Sequence, residues 1–199
     1  MFEKSQCKFL LVPLSLLLYW LTGVPAHALP GQSTEEVAAW IQANPTLGPS
    51  SGNKLLVQRS DTAALRYTFQ ASVLPPGQAE FTKDHGKIRT ERISMYDGVN
   101  GITLVRLQQS LRMIYGLDIF QDYNQAPVIY QYPSQSTINA ARIAKTPLRE
   151  ALQGELRVGT RYAYWVEVAQ PKTGKAVTGQ MTVLLKSDLD KLETELRNR

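Results

Sequence analysis

The sequence predicts an α+β fold: a single domain in which an antiparallel sheet of about six strands packs on two or three helices, behind an N-terminal signal peptide. Three observations lead there. An uncharged run near the start of the chain stops at a cluster of small residues. Several later stretches alternate apolar and polar residues, the period of a half-buried strand, and others repeat at three and four, the period of an amphipathic helix.

The targeting segment comes first. Glu3, Lys4 and Lys8 precede Phe9 to Leu21, which carries no charge and includes Leu14, Leu16, Leu17, Leu18 and Trp20. Gly23 and Pro25 break any helix, and Ala26-His27-Ala28 offers the small side chains that signal peptidase grips. These are the three parts of a secretory signal peptide, expected to be cut after Ala28, with a cut after Ala26 as the variant. An uncleaved anchor is the rival, but a spanning helix needs about 20 apolar residues. This run is shorter and contains Pro13. The expected division is therefore 1–28 as signal peptide and 29–199 as one domain, with no transmembrane segment after cleavage. No twin-arginine pair precedes the core, which favours the general secretory route to a periplasm, thylakoid lumen or extracellular space. Cys7 lies ahead of the apolar core rather than at the cut, so lipidation there is not expected.

Composition narrows the chemistry. The chain is 43% hydrophobic and 20% charged, an ordinary globular balance. Cleavage leaves 20 basic and 16 acidic residues, a net +4, with His85 as the remaining histidine and no cysteine. A mature chain of 171 residues buries enough surface to stand without disulfides. The charge is too mild to imply nucleic acid, and leaves a weak attraction to lipid headgroups or acidic polymers.

Along the mature chain, Ser33 and Glu36 have capping-box spacing ahead of Val37, Trp40 and Ile41, an apolar stripe on a short helix. "NPTLGPSSGN" (44–53) is turn chemistry. In "ALRYTFQASV" (64–73), Leu65, Tyr67, Phe69, Ala71 and Val73 share one face of a strand. "KIRTERISMY" (87–96) also reads as a strand, and the parity switch between Ile88 and Ile93 predicts a bulge near Glu91. Thr103 caps a helix with a stripe of Leu104, Leu107, Leu111, Ile114 and Tyr115, closed by Gly116. "PVIYQYP" (127–133) is a short strand with proline at both ends, hence an edge. Thr146-Pro147 opens a brief helix that Gly154 ends. Leu156, Val158, Tyr162, Tyr164, Val166 and Val168 share one parity, as do Val177, Met181, Val183 and Leu185 after "QPKTGK", which predicts a hairpin. Ser187 caps a last helix carrying Leu189, Leu192 and Leu196.

Candidate sites follow from what survives cleavage. Histidine-based nucleophilic catalysis would rest on His85 in "FTKDHGKIR", a turn context, and no G-x-S-x-G occurs. No metal-ligand spacing is present, and in "DGVNG" (97–101) Val99 interrupts the oxygens a calcium loop needs. No metal and no cofactor are expected. Asp118 and Asp122, beside Phe120 and Tyr123, could serve as a carboxylate pair for a polysaccharide hydrolase, or belong to a loop tucked on the core. Lys87 and Arg89 belong to the densest basic stretch, together with Lys83, His85 and Arg92. Trp165 has the opposite parity from Tyr164 and Val166, in company with Arg161. It lies on the outer face of the sheet, covered by a helix or exposed as a contact surface. Tyr130 and Tyr132 share a parity on the edge strand and could join that surface. The predicted binding set is thus Trp165, Arg161, Tyr130, Tyr132, Lys87 and Arg89.

The stretches "ALPGQSTEEVAAWIQANPTL" and "FQASVLPPG" resemble small exported proteins of cyanobacteria that carry no assigned function. The resemblance covers about the first third of the mature chain. It implies a periplasmic or thylakoid-lumen location and carries over no catalytic residue. The expected function is an exported non-catalytic binding protein whose partner is a protein, a lipid headgroup or an acidic polymer. The alternatives are the carboxylate hydrolase and a carrier of a small apolar ligand in a pocket between sheet and helices.

Overall fold

A computed structural model describes residues 29–48, 53–80 and 86–199. The expected cut at Ala26 and Ala28, Cys7, and the charged turn residues Lys83, Asp84 and His85 lie outside the described residues. Helix α1 (Thr34–Ala43) starts where its capping box predicts. The Ser33 hydroxyl accepts from the Glu36 amide at 3.2 Å, and the Glu36 carboxylate accepts from the Ser33 amide at 2.9 Å. Strands β1 (Leu56–Thr62), β2 (Leu65–Ser72) and β3 (Thr90–Asp97) then form an antiparallel meander. Helix α2 (Leu104–Gln125) carries the chain across one face to the far edge, kinking at Gly116, whose φ of 81° is the left-handed region glycine tolerates. From that edge β4 (Val128–Tyr132), β5 (Leu152–Val158), β6 (Ala163–Ala169) and β7 (Thr178–Leu184) return as a second meander. The meanders join where β7 pairs with β3, giving one seven-stranded antiparallel sheet in the order β1-β2-β3-β7-β6-β5-β4. Helices α3 (Gln135–Ile143) and α4 (Pro147–Ala151) bridge β4 to β5, and α5 (Leu189–Arg197) ends the chain.

The two faces of the sheet are unequal. On the inner face Phe69, Ile93, Met181, Val183, Tyr164 and Val166 meet Val37, Trp40 and Ile41 of α1 and Leu107, Leu111, Ile114 and Tyr115 of α2. Trp40 stacks on Tyr115 with centroids 6.3 Å apart, which ties the two helices together. On the outer face only the β4–β7 half is covered: Tyr132, Leu156, Ala163, Trp165 and Leu184 pack under Leu192 and Leu196 of α5. The β1–β3 half presents Arg66, Thr68, Gln70, Arg92 and Ser94, so it stays polar.

Several expectations are corrected here. No bulge interrupts β3, whose register with β2 and β7 is continuous. The parity holds because Glu91 itself occupies an inner position, 0% exposed, while Ile88 precedes the strand. Burial pushes the Glu91 carboxyl up to about 8, against a hydrogen bond from the Tyr115 hydroxyl at 2.7 Å that pulls it down. The long predicted strand 156–168 is two strands joined by a tight turn. Leu156 consequently lies opposite Trp165 on the outer face rather than with Tyr164. Gly154 ends no helix; it sits within β5, where a Cβ would meet the Tyr132 hydroxyl and the Val166 carbonyl. Ser187 lies inside a 3₁₀ turn (Lys186–Asp188) ahead of α5 instead of capping it. Asp118 and Asp122 lie on α2, which resumes after Gly116. Strand β1 and helix α3 had no expectation at all.

Candidate functional site

The six sequence-predicted binding residues divide into two groups. Trp165, Tyr132 and Tyr130 come together on the outer face. Trp165 is 2% exposed beneath α5, so the helix-covered alternative holds and it offers no free aromatic surface. Its indole N–H donates to the Tyr132 hydroxyl at 2.7 Å, and that hydroxyl donates to Glu167 at 2.6 Å. Tyr130 stacks on Tyr132 with centroids 5.7 Å apart and lies under the Arg197 guanidinium. Lys87, Arg89 and Arg161 instead sit at one end of the sheet. Lys87 bridges to Ser33, Arg89 pairs with the buried Asp188, and the Arg161 guanidinium lies over the Tyr162 ring. The six residues therefore do not form one surface.

The carboxylate pair is engaged structurally. Asp122 accepts from the Thr160 amide at 2.8 Å, the Arg161 amide at 3.3 Å and the Tyr164 hydroxyl at 2.6 Å. Those bonds pin the β5–β6 turn to α2, and Asp118 points to solvent. Asp97, in the "DGVNG" turn, accepts from Arg106 at 2.5 Å and from the Asn100 and Val99 amides. The Arg106 guanidinium and the Asn100 amide hold the Asp97 carboxyl well below its ordinary range. That geometry is a turn lock. Among the described residues no group of three His, Cys, Asp or Glu side chains is placed to hold a metal.

A site that sequence reasoning did not name lies on the inner face. Between β1–β3 and the first half of α2 is a cavity of about 240 Å³. Its apolar wall is Leu65, Met95, Met113 and Ile114, and Arg59 and Arg106 stand at its rim. Tyr67 also lines it, and the Tyr67 hydroxyl is buried without a hydrogen-bond partner among the described residues. Burial raises the Tyr67 hydroxyl's pKa well above that of free tyrosine, although the Arg59 charge opposes this. At the rim Arg106 is paired with Asp97, and Arg59 stands 4.0 Å from Asp61 in a solvent-exposed pair, whereas Arg66 has the opposite parity and turns to the outer face. The Arg66 guanidinium rests 4.7 Å from the Tyr96 ring centroid. The alternation of β2 places Leu65 and Tyr67 on the inner face, but α2 alone decides that a gap remains there.

Comparison with family models, with curated proteins and with solved structures returned no match. The geometry therefore carries the functional argument. Among the described residues no helix is long and apolar enough to cross a membrane.

Proposed function

We propose that the protein is an exported, non-catalytic binding protein that carries a small amphipathic anion in the cavity between β1–β3 and α2. Three features support this reading: the signal-peptide pattern at the start of the chain, the resemblance to small exported cyanobacterial proteins, and above all the cavity. The single observation that carries it is an apolar wall closed by an arginine rim. Apolar area drives a hydrocarbon or ring inward, at about 25 cal/mol per Å² buried. The rim arginines orient a negative head outward, with charge-assisted hydrogen bonds that need no metal. The volume suits a single ring system or a short chain rather than a long lipid.

The test uses anilinonaphthalene sulfonate, a fluorescent apolar anion, with decanoate as competitor. The expected result is saturable binding of one probe per chain and displacement by decanoate. Met113 is 66% exposed at the cavity lip, so Met113→Glu changes the rim charge without disturbing the core. That variant should weaken probe binding about tenfold, the scale of one charge-assisted contact. Unchanged affinity in Met113→Glu and in Arg59→Gln would remove the cavity as the binding site.

A further inference from the structure

The outer face holds a second arrangement that the cavity does not use. Arg92, Thr182 and Trp165 form one cross-strand row over β3, β7 and β6. Arg92 and Trp165, the two ends of the row, line a groove of about 460 Å³ together with Gln78, Gln180, Glu195 and Arg199. A smaller hollow of about 150 Å³, beside Gln70, Ser72 and Thr90, shares Arg92 and Gly77 with it. The loop after β2 forms one bank and is tied to α5. The Gln78 amide donates to Glu195 at 2.8 Å, and Lys191 donates to the Pro76 and Gln78 carbonyls at 3.1 and 2.9 Å.

The charges around this groove do not balance. Arg199 pairs with Glu167 at 2.6 Å and Lys191 pairs with Glu195 at 2.5 Å. Glu167 is further committed to Tyr132 at 2.6 Å and Gln180 at 3.2 Å. Both acids are thereby occupied, and Arg92 has neither an ion pair nor a hydrogen bond among the described residues. Its guanidinium lies 6.0 Å from the Trp165 ring centroid, while Arg199 lies 5.2 Å from the same ring. Two cations thus flank one indole, and Arg92, though it feels the Glu167 charge, makes no direct contact with a carboxylate among the described residues. Arg92 Nε is buried without a partner, and so is the hydroxyl of Thr182, which is 0% exposed in the same row. A half-buried guanidinium with unused donors is costly unless an anion satisfies it, and its planar fork suits an oxyanion.

We propose that the groove around Arg92 is a second binding site, taking the oxyanion group of a small ligand, a carboxylate or a phosphate. Arg92 supplies the charge, and Gln180 and the Gln78 side of the loop supply the polar walls. Trp165, covered by α5, lies beneath the groove and fixes the place of the two guanidinium groups that flank its ring. The site is independent of the inner cavity, because the sheet separates them.

The test is a titration of the full chain with inorganic phosphate and, separately, with acetate. It is followed by the NMR signals of the Arg92 Nε–H and the Trp165 indole N–H. The expected result is a saturable shift of both signals with at least one of the two anions, unaffected by Met113→Glu. Saturation by phosphate alone identifies a phosphate ligand, by acetate alone a carboxylate ligand, and by both a site for either group. Arg92→Gln should fold, melt no lower than the parent chain, and bind at least about tenfold more weakly by the Trp165 signal. Arg92→Lys should retain part of the affinity, since it keeps the charge and loses the fork. No saturable shift with either anion, or an equal affinity in Arg92→Gln, would overturn the proposal.

Discussion

Replacing Glu91 by glutamine perturbs a carboxyl that the fold keeps inside the helix–sheet interface. Glu91 is fully buried, its neighbour on the far side is the Tyr115 hydroxyl, and Glu91 Oε1 has no partner among the described residues. Burial raises its pKa from an ordinary 4.5 to about 8. A carboxyl raised in the folded state costs nothing below the unfolded value, where both states hold the proton. As the pH rises through 4.5, the unfolded chain releases its proton while the folded chain keeps it. Stability then falls by about 1.4 kcal/mol per pH unit until the folded value is passed, near 8. At about pH 7 the accumulated cost is about 3 kcal/mol. Glutamine matches the protonated acid in shape and can keep a bond to Tyr115, but it never ionises. Glu91→Gln should therefore be about 3 kcal/mol more stable than the parent near pH 7 and equal to it near about pH 4. Urea unfolding across that range, followed by the fluorescence of Trp40 against Tyr115, reads the difference. A stability difference that does not change with pH, or a glutamine variant weaker at neutral pH, would refute the assignment of Glu91 as a protonated core group.

Two further substitutions probe local packing. Gly154→Ala places a Cβ 2.6 Å from the Val166 carbonyl and against the Tyr132 hydroxyl, and the backbone of β6 cannot yield. A loss of about 2 kcal/mol is expected by urea unfolding, together with a shifted Trp165 indole signal as Tyr132 moves. Ser33→Ala removes the hydroxyl that accepts from the Glu36 amide and should cost about 1 kcal/mol. Hydrogen exchange should rise in the first turn of α1 and leave the amides of β3 and β7 unchanged.

How much of the fold was legible depends on where each element finds its energy. The α1 capping box, the β2 alternation, the Thr103 cap and the β6–β7 hairpin are local, and each stands where its residues indicate. Strand β1 was silent because Val57 is its one buried position; its partner β2, rather than its own pattern, makes it a strand. The long stretch 156–168 read as one strand because Asp122, about forty residues earlier, supplies the bonds that fold Gly159–Tyr162 into a turn. Glu91 hid a core position behind a charge, so a regular strand looked bulged. The sites were less legible still. The inner cavity exists because α2 stands off β1–β3 there, and the Arg92 groove exists because α5 and the loop after β2 bank against the outer face.

By itself the sequence determined the class of the fold, the inner face of β2, β6 and β7, and the position of Trp165 opposite Tyr164. Those follow from periods of two and of three to four, which the backbone imposes residue by residue. Only the tertiary structure decided what covers each face. It placed α5 over Trp165, left Arg92 without a direct ion pair or hydrogen bond among the described residues, and kept a buried carboxyl against Tyr115. Such outcomes depend on side chains far apart in the chain meeting or missing one another, and no local period encodes that distance.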